Sequence, residues 1–278
     1  MGSVDLAEVL QEGAEQAGAG NKITLNGSSP EARIMKSEQD LTDLVARLRN
    51  DAGNNLLSVI LYGSAATDEF HEGHSDLNIL CVVQSLGRTD LSRVHDASAW
   101  WLKKGHPAPL FFTLDELHHS ADIFAIELLD IKAAHRVLHG EDVMATLNVP
   151  MDRHRLQVER EFRNNTLRLR QHYLMHPADA RKTLELMTES ISTFAALFRH
   201  ALIALGEQPP STKRSTMDRL GSVLGFDPSP FHTIFEVREG HKRGRDVDIQ
   251  ATFDAYLDRV AHVAEEMDRR LAIPPAKG

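Results

Sequence analysis

The chain has 278 residues, 42% of them hydrophobic, a formal net charge of −9 and a single cysteine. This length suits about two domains with real cores, and the acidic balance excludes a general nucleic-acid binder, which needs a strongly basic face. With no apolar run near the roughly 18 residues of a membrane span, and no second cysteine for an intrachain disulfide, the chain reads as a protein of the reducing cytoplasm.

Charge is unevenly spread. Residues 1–150 carry 22 acidic and 11 basic side chains, 151–220 carry 8 and 12, and 221–278 carry 10 and 8, so an anionic ligand would be met partly from the middle segment. Leu6 stands where a myristoylation signal wants Ser or Thr. No basic-then-apolar leader opens the chain, so secretion is not expected.

Residues 1–35 mix Gly, Ala, Glu, Gln and Ser with few large apolar groups and read as a flexible arm. Ser37 begins a capping-box pattern followed by Leu41, Leu44, Val45 and Leu48, which predicts an amphipathic helix to about Asn54. Leu56 to Tyr62 is an apolar, partly β-branched run of the kind that forms a buried central strand. Gly63 and Ser64 then open a short helix; a residue without Cβ beside a helix's first free N–H groups makes a phosphate seat. A second apolar strand follows a polar loop and begins Ser-Asp-Leu-Asn. Asp76 and Asn78 alternate onto one strand face, about 7 Å apart. Cys81, inside this strand, reads as a buried inert thiol.

Thr89 to Lys104 predicts a helix stopped by Gly105 and Pro107, and Pro109 to Thr113 a third strand whose inward candidates are Leu110, Phe111 and Phe112. The acids just beyond, Asp115 and Glu116, fit a helix cap better than a metal ligand. Residues 121–140 predict a short apolar segment and a helix closed by Gly140. From Asp152 the pattern becomes wholly helical, with helices over Asp152–Tyr173, Ala178–Leu205, Met217–Leu224, Pro230–Gly240 and Ala251–Leu271, an antiparallel bundle of four or five. The division is a flexible arm at 1–35, an α/β domain at 36–148 and a helical bundle at 149–278.

The Leu56–Val83 stretch, LLSVILYGSAATDEFHEGHSDLNILCVV, resembles the polymerase-β-like nucleotidyltransferase superfamily, in particular its bacterial aminoglycoside and minimal nucleotidyltransferase branch. The resemblance spans roughly residues 37–142, followed by a helical C-terminal domain, and implies an α/β (α+β) fold with a small mixed sheet. Gly63, Ser64 and Asp76 match the motif; Asn78 stands where that family has a second carboxylate, and the third strand lacks one. The resemblance therefore implies a nucleoside triphosphate held by Gly63, Ser64 and Asn78, magnesium at the catalytic Asp76, and transfer of a nucleoside monophosphate to a hydroxyl of a small-molecule or protein acceptor, weakened or lost for want of carboxylates. Asp68, Glu69, Glu72 and Glu127 are acids that would substitute. A pair of subunits is ordinary for this architecture. A non-catalytic nucleotide sensor or interaction module is the alternative.

Two further patterns stay open between chemistry and ordinary surface. Arg153, Arg160, Arg163 and Arg170 share a helix face and would either receive phosphate from an interdomain cleft or be laced by pairs such as Glu159 with Arg163. The 15 histidines, including His71, His74 and the adjacent His118 and His119, lack the cysteine partners of a zinc site. Arg168 and His172 loosely match, one residue short, the Arg–His pair of helical ribonuclease toxins.

Overall fold

The computed structural model describes residues 30–66, 77–177 and 179–271, and their side chains except those of 30–34, Ser64 and Leu271. The chain divides into two compact units, Met1–Pro150 and Met151–Gly278. The first is built on a four-stranded mixed sheet; the second is all helical.

Helix α1, Pro30–Ala52, starts a full turn or more before the expected Ser37. Proline suits a first helical turn, where its missing N–H is not needed, so the Ser37 pattern lies inside the helix rather than at its cap. The apolar positions Leu41, Leu44 and Leu48 are buried. The arm predicted for 1–35 otherwise lies outside the described residues.

Strand β1, Leu56–Tyr62, is central. It pairs antiparallel with β2, Asn78–Val83, on one side and with β4, His135–Gly140, on the other, while β3, Leu110–Thr113, lies parallel to β2, giving the order β3-β2-β1-β4. Alternation sends Val59, Leu61, Ile79, Cys81 and Val83 to a core with α1 and the helix His95–Lys103, and Ile60, Tyr62, Leu80 and Val82 to a second core with the helices Leu114–Ser120, Ala125–Ala133 and Val143–Thr146. Burial on both faces is why β1 reads as an unbroken apolar run. Cys81 is fully buried, and burial pushes its thiol pKa up, as an inert residue requires.

Two expectations for this unit are corrected. The single helix at Thr89–Lys104 is two, α2 (Arg88–Arg93) and α3 (His95–Lys103), broken at Val94, whose ψ of 2° leaves the helical region. The helix closed by Gly140 is instead α5 (Ala125–Ala133) followed by edge strand β4. Ala134 turns out of the helix at φ −138°, ψ 80°, and the buried Ser58 hydroxyl donates to the carbonyls of Glu141 at 2.7 Å and His139 at 3.2 Å, fastening β4 to β1. Gly140, at φ +80°, is required there: a Cβ would sit 1.8 Å from the Leu57 carbonyl oxygen. Helix α4 (Leu114–Ser120) follows β3, and α6 (Val143–Thr146) follows β4.

The second unit packs α7 (Met151–Met175), α8 (Ala180–Ala204), α9 (Lys213–Leu224), α10 (Ser229–Arg238) and α11 (Ile249–Leu271). Its centre is a run of rings: Phe162 stacks on Phe198 at 5.8 Å, Phe198 meets Phe231 edge-on at 5.1 Å, Phe231 lies 5.0 Å from Tyr256, and Tyr256 meets Phe194 at 5.8 Å. The Tyr256 hydroxyl reaches Ser190 Oγ at 3.0 Å, so its polar end is satisfied. No described helix is long and apolar enough to cross a membrane.

Candidate functional site

The apolar run of β1 ends at Tyr62, and the chain turns at Gly63 with φ +80°, a left-handed conformation that favours glycine. A three-residue 3-10 turn, Ser64–Ala66, follows, with the Ala66 N–H donating to the Gly63 carbonyl at 2.9 Å. The Gly63 N–H is itself taken, donating to the Ala134 carbonyl at 3.1 Å. A phosphate at this turn therefore depends on the N–H groups beyond Gly63.

Asn78 opens β2 directly across from Tyr62. It is half-buried, and its Nδ2 lies 3.4 Å from where a Gly63 Cβ would be, ordinary contact distance. The turn and the start of β2 are thus packed together by the register of two strands. Asp76 lies outside the described residues, as do Asp68, Glu69 and Glu72; Ser64 is described in its backbone alone. Of the predicted site residues, Gly63 and Asn78 are the two brought together.

The same register identifies residues the sequence did not. Tyr62 pairs with Asn78 on one side and with His135 on the other. Paired residues point to one face, so Asn78, Tyr62 and His135 form a rung with its outer members about 10 Å apart. Tyr62 is 8% exposed, and burial holds its phenol pKa above the ordinary value. The His135 ring sits between two acceptors, with Nδ1 3.1 Å from the Lys132 carbonyl and Nε2 3.1 Å from Asp142 Oδ1. Asp142 also accepts the Ala145 N–H at 3.0 Å as the N-cap of α6. Burial works to raise the Asp142 pKa, but that backbone N–H and His135 outweigh it and hold the carboxyl below the usual range. Only the tertiary pairing of β4 brings His135 here; nothing local in His-Arg-Val-Leu-His-Gly announces it.

The carboxylate supply on this face is thin. From β3 the same face receives Leu110 and Phe112. Glu116 is occupied in a capping box, accepting from the Thr113 N–H at 2.8 Å while the Thr113 hydroxyl accepts from the Glu116 N–H at 3.1 Å. Thr113 pairs with Val83, so this acid lies at the far end of β2 from Asn78, about 17 Å along the strand. Glu127 sits in the first turn of α5. Among the described residues no three His, Cys, Asp or Glu side chains gather as a metal site. Of the described residues on this face, Asn78, Leu110 and Phe112 supply none of the anionic oxygens that a two-metal centre needs.

Three of the other candidates have acidic partners. Arg163 pairs with Glu159 at 2.7 Å and Asp268 at 3.4 Å, and Arg160 with Glu161 at 3.2 Å. His119 lies 3.4 Å from the Asp115 carboxylate on an exposed helix end. A cavity of about 300 Å³ at the α7–α8 turn is bordered by His172 of the Arg168–His172 pattern, with Tyr173, His176, Lys182 and Glu185, and by none of the residues predicted to hold nucleotide.

No family model matches the sequence, and no curated protein matches it. Among solved structures the chain is similar to the crystal structure of spectinomycin adenyltransferase AAD(9) from Enterococcus faecialis with ATP and spectinomycin, at 15% identity and a TM-score of 0.43, covering 85% of this chain and 99% of that one. A likeness that loose carries nothing about the site.

Proposed function

We propose that this chain is a nucleotidyltransferase-like protein that binds a nucleoside triphosphate, with magnesium, at the Gly63-Ser64 turn and Asp76. One observation carries the reading: the Tyr62–Asn78 register packs the Gly63 turn against the start of β2, the juxtaposition that the Gly-Ser and Ser-Asp-Leu-Asn motifs need if they are to act on one ligand. Gly63 leaves room for a phosphate to approach backbone. The Asn78 amide offers a neutral donor or acceptor to the same ligand.

Transfer of a nucleoside monophosphate requires a hydroxyl to attack the α-phosphorus while pyrophosphate leaves, and the site must stabilise the charge that spreads over the phosphoryl oxygens. Magnesium, when bound, supplies part of that stabilisation, and Asp76 is the residue proposed to hold it. Asn78 adds no charge, and β3 contributes Leu110 and Phe112, so turnover is weak or redirected toward an acceptor hydroxyl on a small molecule or a protein. The same shortage of carboxylates favours a second reading, a nucleotide sensor that binds without turnover.

Calorimetric titration of ATP, CTP, GTP and UTP, with and without magnesium, into the wild-type chain and Asp76→Ala tests the proposal. Magnesium-dependent binding lost in Asp76→Ala is the expected result. Binding of no triphosphate, or binding unchanged by Asp76→Ala, overturns it. Asn78→Asp separates the two readings: restored transfer activity marks a weakened enzyme, whereas tighter magnesium-dependent binding without turnover marks a sensor.

A further inference from the structure

We infer that His135 and Asp142 are positioning residues for the Gly63 turn, a latch that sets the backbone on which the proposed nucleotide seat is built. The sole described partner of the Gly63 N–H is the Ala134 carbonyl. Ala134 is the hinge between α5 and β4, and its own φ and ψ belong to neither element. Its own N–H donates to the Asp130 and Ile131 carbonyls at 3.0 and 3.2 Å, and the next residue pairs with Tyr62 in the sheet; the ring of that residue adds a further hold. His135 Nδ1 faces the carbonyl of Lys132 in the last turn of α5, and Nε2 faces Asp142 at the first turn of α6. The imidazole thus spans the hinge from the helix before it to the helix after it.

Both partners of the ring are acceptors, so both nitrogens must carry protons for both bonds to form; a neutral imidazole serves only one. A bond from the ring to the Asp142 carboxylate is charge-assisted, and such bonds are stronger than neutral ones. Lys132 braces the same corner: its ammonium donates to the Leu147 carbonyl at 2.6 Å and lies 3.4 Å from that of Ala145, tying the end of α5 to the end of α6. Opening the ring contact removes one of the holds on Ala134 and loosens the hinge. The bond from the Gly63 N–H to the Ala134 carbonyl is weakened with it. Tyr62, on the same rung, keeps its sheet pairing with Asn78, so the effect falls on the turn and spares the β1–β2 ladder.

The decisive measurement is amide hydrogen exchange at Gly63, compared with amides of the β1–β2 ladder, in His135→Gln and Asp142→Asn. Asp142→Asn keeps an oxygen for the Ala145 N–H, so it preserves the α6 cap if His135→Gln fails to fold. Protection at Gly63 is expected to fall about tenfold in either variant, the scale of one charge-assisted hydrogen bond, with the ladder unchanged; the control His232→Gln, at the His–Asp pair of the helical unit, leaves Gly63 alone. Nitrogen-15 spectra of wild-type His135 should show the nitrogen that faces Asp142 carrying a proton while Gly63 is protected. Unchanged Gly63 protection in a folded variant, a uniform loss across β1 and β2, or an Nε2 without a proton beside a protected Gly63 would each overturn the latch. The nucleotide arm rests on the proposed function: triphosphate affinity should weaken about tenfold in the variants by the same bond. If wild-type protein binds no triphosphate, the proposed function fails, and the exchange result still decides the latch.

Discussion

The two units are held together by different physics. In the sheet unit, distant segments are fastened by directed polar contacts: Ser58 to the carbonyls of β4, His135 to Asp142, the Asn55 amide to the Ser85 carbonyl at 2.9 Å, and Lys104 to the buried Asp40 at 2.9 Å. In the helical unit, ring stacking and apolar burial carry the core, and the ion pairs of Arg160, Arg163 and Arg181 lie on exposed helix faces. The difference teaches where each unit is brittle. A bundle core is sensitive to lost volume, whereas a stitched sheet is sensitive to single atoms at its crossings.

The largest effect should come from the helical unit. Phe198→Ala removes a ring that contacts Phe162, Phe226 and Phe231 and should cost about 3–5 kcal/mol, read as a lower denaturant midpoint by helical circular dichroism. A loss below about 1 kcal/mol would mean the bundle repacks freely and the contrast fails. Next comes Gly140→Ala in the sheet unit. A methyl group there meets backbone, which cannot step aside, and φ is +80°; about 3 kcal/mol is expected, with β4 amides losing exchange protection first. If the cost matches that of an ordinary exposed Gly→Ala, β4 is not pinned at Gly140.

Ser58→Ala should cost about 1–2 kcal/mol, because two carbonyls at the β1–β4 crossing lose their donor while no volume of consequence is removed. Equal sensitivity of β1–β2 and β1–β4 amides to this change would contradict a stitch local to β4. The smallest effect concerns acid. His106 stacks 4.1 Å from Trp101, and burial lowers its pKa from the ordinary 6.5, against the pull of Asp40 and with help from Lys104 and Lys36. The unfolded chain therefore takes up this proton first, so the sheet unit should lose stability as pH falls below about 6.5. His106→Phe should flatten that dependence in a melting-temperature series; an unchanged slope would assign the acid sensitivity elsewhere.

The bundle was readable from sequence because its signal is local. Phe162, Leu169, Ile191, Phe194, Phe198, Val260 and Val263 recur at helical spacing, and each is buried. The central strands β1 and β2 were equally plain, since burial on both faces writes an apolar run. Strand β4 was not, because an edge strand rich in His and Arg is defined by its partner β1, far away in sequence. The site divided along the same line. Gly63 and Asn78 lie within one motif whose spacing can be counted. His135 belongs to the rung only through the register opposite Tyr62, which no local pattern states. The early start of α1 was hidden for a third reason: Ser37 carries a cap signature that the helix simply runs through.

Helix α3 holds one further consequence. Trp100 and Trp101, the chain's only two tryptophans, are adjacent, yet Trp101 is fully buried beside His106 while Trp100 lies beneath Arg47 at 4.5 Å and Lys104 at 5.2 Å. Tryptophan emission is therefore an optical label placed by nature in the sheet unit alone, with one indole in a dry environment and one facing cations. The helical unit, silent in that channel, dominates the helical circular dichroism. Recording both signals on a single sample during one melt assigns each transition to its unit, with no need to cut the chain or attach a dye.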